Sequence, residues 1–210
     1  IPKTLILPRT LSDTVRELAT TGSVTPAESA RDIVKSGSEP DIKEVTRGTN
    51  APVPVPLSPN HTAVRSTGPT LRWEAISNAQ SYEVHIINLA HPEQGRIIRR
   101  DIKEAQLTLE ADKLQPGQVY RWFVVAKIPN SSPRGKFAAR FWVLDEQSLH
   151  EVESIEHAYS RSALVRAVIY EKYGLYEEAN EALGQLEQMN LNNKSAKKML
   201  DGMRRRLRRK

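Results

Sequence analysis

The chain of 210 residues contains no cysteine. That absence excludes disulfides, thiolate nucleophiles, cysteine–zinc sites, iron–sulfur clusters and covalent haem attachment together. Aromatic side chains are scarce, at 6% of the total, and none occurs before Trp73. Glycine is thinly spread: the two closest, Gly174 and Gly184, lie ten residues apart, so there is no glycine-rich cradle for a phosphate. No G-x-S-x-G elbow is present. No run approaches the ~20 apolar residues of a membrane helix, and the densest stretch is Trp122 to Ala126. A nucleophile and base assembled from distant positions is the one enzymatic route that local sequence leaves open. No cofactor and no metal are expected.

What is present is charge, unevenly placed. The net charge is +6. Residues 194–210 carry nine basic side chains against one acid, Asp201, and the remaining residues carry 22 basic groups against 24 acidic ones. The protein therefore reads as a near-neutral body with a basic C-terminal handle.

Three regions follow one another. Eight of the 13 prolines lie before residue 60, in the stretch that also lacks aromatics. Such a segment cannot build its own core, because the apolar area available does not offset chain entropy. Two short helices are still legible in it. Ser12 can cap a turn bearing Leu11, Val15 and Leu18. Thr25, Pro26 and Glu28 form the start of a second, with Gly37 past its end. Residues 1–50 are thus an extended arm expected to pack on the body or to be ordered by a partner.

Over 51–145, runs of β-branched and aromatic residues recur between turn signals at 70–76, 81–89, 95–102, 106–110, 118–128 and 136–144. An edge strand near 62–65 brings the count to seven, which suits a two-sheet sandwich. The prolines of APVPVP make that stretch an extended lead-in, since proline cannot occupy a central strand. From 146 to 210 proline vanishes and apolar residues take helical spacing, with Gly174 and the Asn190–Asn193 region as breaks. Three or four helices are expected. The fold class is α+β by segregated domains: arm 1–50, sandwich 51–145, helical bundle 146–210.

Trp73, Tyr82, Val84 and the spacing Leu114-x-Pro116-x-Gln118-x-Tyr120 resemble a fibronectin type III domain, with Tyr120 as the tyrosine of its corner. The family usually has threonine where Gln118 stands. More narrowly, Ser58-Pro59, the run from Pro69 to Trp73, Ala79, Tyr82 and Val84, then Leu114, Pro116, Gly117 and Tyr120 to Trp122, resemble Ig-like sandwich modules of bacterial envelope proteins, found beside FecR-like domains. Tyr170, Gly174, Tyr176, Ala179 and Leu183 resemble one tetratricopeptide repeat, although Ala163, Arg166 and Ala167 replace that family's Trp, Leu and Gly and Leu191 its closing proline. A single repeat does not form the concave groove of a stack.

Two clusters invite a chemical reading. His150, Glu153 and His157 share one helix face at metal-ligand spacing; the competing reading is a solvated face of a charged helix. Trp122, Phe123, Phe141 and Trp142 suggest a stacking platform, but neighbours on a strand point to opposite faces, which favours core. The tail residues Arg204, Arg205, Arg206, Arg208, Arg209 and Lys210 are the candidate partner-binding group, facing phosphate, anionic lipid or an acidic protein surface. The alternative is a helix C-terminus complementing its dipole.

The resulting expectation is a non-enzymatic interaction or scaffold protein of the bacterial envelope, an accessory subunit of a larger complex with an acidic surface. It would lie in the periplasm or be secreted, its signal peptide already removed. Two other readings stand beside it: an anionic-surface or nucleic-acid binder acting through the tail, and an enzyme using His150 or His157 at the sandwich–helix junction.

Overall fold

A computed structural model describes residues 11–14, 16, 17, 24–27, 52–129, 137–189 and 201. The tail 204–210, most of the arm and the segment expected to form a fourth helix lie outside these residues. The chain divides into two compact units, 32–146 on one hand and 1–31 with 147–210 on the other.

Among the described residues the first unit is a sandwich of eight strands: β1 (Pro56–Ser58), β2 (Thr62–Val64), β3 (Thr70–Trp73), β4 (Ser81–Asn88), β5 (Arg96–Ile102), β6 (Gln106–Thr108), β7 (Val119–Lys127) and β8 (Ala138–Val143). Three form one sheet in the order β1-β3-β6, and five form the other in the order β2-β8-β7-β4-β5. All pairs are antiparallel except β2 with β8. The strand beyond the expected seven is β1, cut from the proline-rich lead-in. It lies at a sheet edge, with Pro56 as its first residue, where a missing N–H is tolerated.

Alternation places Leu71 and Trp73, Tyr82, Val84 and Ile86, and Tyr120, Trp122 and Val124 in one core between the sheets. Trp73 meets Tyr82 edge-on at 5.4 Å and Trp122 at 6.5 Å, the geometry the ring quadrupole favours. Trp122 Nε1 donates to the Pro59 carbonyl at 2.9 Å and so ties the β1–β2 connection to β7. The expected strand over 70–76 stops at Trp73, and Ala75 is exposed. Its ladder with β6 stops at Arg72 and its ladder with β1 at Trp73, beyond which one main-chain bond, from Glu74 N–H to the Val55 carbonyl, follows.

The second unit contains α1 (Glu146–Ala158), α2 (Ala163–Tyr173) and α3 (Tyr176–Met189). The Ser162 hydroxyl accepts from Val165 N–H at 3.3 Å and caps α2. Gly174, left-handed at φ 75° and ψ 13°, ends it, and its N–H bonds back to the Glu171 and Tyr170 carbonyls. The short turn lets α3 fold back on α2, burying Tyr176, Ala179, Ala182 and Leu183. Lys172 meets Glu151 at 3.3 Å and Tyr170 bonds Glu156, joining α2 to α1. Part of the arm belongs to this unit: Leu11 and Val24 are buried, and Ala27 N–H donates to the Lys172 carbonyl at 2.8 Å. Leu11 is already helical, so Ser12 sits inside its helical segment and not at the cap. The second arm helix falls mainly outside the described residues. Among the described residues, no helix is long and apolar enough to cross a membrane.

Candidate functional site

At one end of the sandwich, the connection into β7 is pinned by a buried phenol. Tyr120 Oη accepts from Gln115 N–H at 2.8 Å, while Leu114 plugs the core beneath. This is the upstream bond expected of the tyrosine corner. Burial pushes the Tyr120 phenol up from its ordinary value, and the bond from Gln115 partly offsets this. Tyr82 makes a parallel clasp, accepting from Ile76 N–H at 2.8 Å.

The pinned corner faces the start of β5 across a cleft of about 160 Å³. Its floor is apolar, formed by Ile86, Ile97 and Tyr120; its rim carries Arg96, Lys113 and the amides of Asn88, Gln94 and Gln115. No carboxylate lines it. Gly95 holds φ 83° at the entry to β5, a conformation glycine adopts without strain. Lys113 pairs with Glu110 at 3.1 Å outside the cleft, whereas Arg96 has no acidic partner among the described residues. The arrangement is suited to holding an anionic group by charge-assisted hydrogen bonds.

β5 continues from the cleft as an edge strand. Its Arg100 bonds Glu83 at 3.0 Å, and Glu83 also meets His85 Nε2 at 2.8 Å. His85 stacks on Phe123 at 4.6 Å with the rings 8° from parallel. These two and Trp142 are buried on the sheet face opposite the core, so both members of each aromatic pair are buried, one per face. Asp101, left-handed at φ 59°, pairs with Lys127 at 3.0 Å. The Lys127 hydrogen bond and charge hold its carboxyl below the usual range.

The residues singled out from the sequence fall into separate places. Trp73, Tyr82, Leu114 and Tyr120 build the sandwich; Tyr170, Gly174, Tyr176 and Ala179 build the α2–α3 hairpin. His150, Glu153 and His157 are all exposed on α1, and no group of metal-binding side chains gathers among the described residues. The six tail cations lie outside the described residues. The cleft leaves no local motif, because the fold alone brings Arg96 to the 113–115 connection; the arginine density of β5 is its visible signal in the sequence.

A profile of the family described as Domain of Unknown Function (DUF928) matches residues 56–205. The chain belongs to the DUF928 family. The DUF928 match opens at Pro56, the first residue of β1, takes in the eight strands and three helices of the described residues, and leaves out the arm. No curated protein matches the chain. A solved structure described as an Fn3-like protein from Clostridium thermocellum is similar at 20% identity with a TM-score of 0.35, over 45% of this chain and 95% of its own. The sandwich itself rests on the strand order given above.

Proposed function

We propose that this DUF928 chain is a non-enzymatic protein–protein interaction subunit of the bacterial envelope. Its sandwich acts as a fibronectin-like module, and its tetratricopeptide-like helices and basic tail add further docking surface. The observation that carries this reading is the cation-rimmed cleft opening onto an edge strand. It is suited to a recognition surface: an open, cation-rimmed groove beside main-chain groups of an edge strand. Away from the cleft, Glu83 joins His85 to Arg100, and Asp101 pairs with Lys127. In α1 and α2, Lys172 pairs with Glu151 and Tyr170 with Glu156.

The test is affinity purification from the native source after cross-linking, at low and high salt, with and without residues 194–210. A protein partner retained in fixed proportion from the envelope fraction, and lost at high salt when the tail is absent, is the expected outcome. Recovery of the chain alone under cross-linking, or turnover of a small compound by the purified chain, refutes the proposal.

A further inference from the structure

β5 is seven residues long and pairs only with β4, so among the described residues its outer edge is unoccupied. Open edges of this kind are usually blunted by charge and bulges, and β5 has both. The register slips between Tyr82 and Val84, where Asp101 takes its left-handed turn. Arginines flank the edge on two faces: the register puts Arg96 opposite Ile87 and Arg99 opposite Val84. Neither Arg96 nor Arg99 has a carboxylate partner among the described residues. Like charges keep a second copy of this edge away, but they attract an acidic strand.

Protection alone would not call for the cleft. It sits where β5 begins, shares Arg96 with the strand, adds Lys113 and three amides, and excludes acids. A volume of about 160 Å³ accommodates a side chain or chain terminus. Its floor under Tyr120 offers no open ring on which a base could stack. We infer that an extended acidic segment of a protein partner adds to the edge of β5 and places a carboxylate in the cleft between Arg96 and Lys113. The main-chain ladder supplies affinity and the cleft supplies selection for the acid. This inference rests on the interaction reading above and gives that partner its chemistry.

The experiment uses the full chain, labelled with ¹⁵N, and an eight-residue peptide of alternating glutamate and valine. The expected result is a set of amide shifts confined to residues 96–102, 113 and 115. Replacing the peptide's glutamates by glutamine should weaken binding about tenfold or more, as should Arg96→Gln or Lys113→Gln, since each removes a charged hydrogen bond. Both positions are at the surface, and unchanged spectra elsewhere will confirm folding; Arg99→Gln provides a third variant. Binding that is unaltered in all three variants, or shifts mapping elsewhere, overturns the inference. So does inorganic phosphate or a single-stranded oligonucleotide binding the same amides as tightly as the peptide. The two readings fail separately. If the cross-linked native complex forms equally well with Arg96→Gln, only the cleft inference falls. If no native complex forms while the peptide still binds the cleft, only the interaction reading falls.

Discussion

Gly68 illustrates how little room single residues have in this sandwich. A methyl group there would lie 2.7 Å from the Leu109 carbonyl oxygen and 2.9 Å from that of Glu110. Both are main-chain atoms, so the backbone would have to move. Gly68→Ala is expected to cost about 1–3 kcal/mol, read as a lower urea midpoint with an unchanged slope. Two buried phenols, Tyr120 of the sandwich and Tyr176 of α3, have a different signature. Burial raises Tyr120 above 10.0, and burial, then the charge of Glu171, raises Tyr176. A phenol that holds its proton more tightly when folded contributes stability that is full below pH 10. That contribution is lost as pH climbs through the folded value. Stability should therefore fall above pH 10, and the fall should become shallower in Tyr120→Phe and shallower still when Tyr176→Phe is added. Urea midpoints between pH 8 and 11.5 will check this. A fall equally steep in the double variant would assign the alkaline loss to other groups.

At the scale of elements, punctuation and partners decide where structure begins and ends. Gly174 was marked in the sequence as a break, and it closes α2 in the left-handed conformation. Gly174→Ala should destabilise the helical unit by about 1 kcal/mol or more, because a Cβ is strained at positive φ. Ser162→Ala should cost about 1 kcal/mol through the lost cap. Thermal unfolding followed at 222 nm will measure both, and a neutral Gly174→Ala would contradict the cap assignment. Strand interiors were legible too: Tyr82, Val84 and Ile86 alternate into the core as their spacing implies. Strand ends were not. β3 stops before Ala75 because its ladders with β6 and β1 end at Arg72 and Trp73, and Pro56 enters a strand because β3 offers an edge to pair with. A ladder needs two strands, and a local pattern describes only one of them.

For the molecule as a whole, the arm is the telling case. Its lack of aromatics implied dependence on other surfaces, and the described part of it finds them in this chain's own helical unit. Leu11 and Val24 are buried there, and Ala27 reaches the Lys172 carbonyl. Removing residues 1–27 should lower the exchange protection of α2 amides about tenfold or more, given the apolar area uncovered. The β7 amides should keep theirs. Equal loss in both, or in neither, would show that the arm is not a component of the helical unit.

By itself the sequence determined the order of the parts: a core-poor arm, then alternating strands, then proline-free helices with a basic end. It did so because side-chain period and punctuation are local properties of a chain. The tertiary structure alone decided which residues became neighbours. Arg96, Lys113 and Gln115 line one cleft, His85 lies flat on Phe123, and Tyr82 clasps Ile76. Each of these depends on register and on turns closing at a definite length. Pairing between distant segments sets both, so the cleft took shape only once the strands were in place.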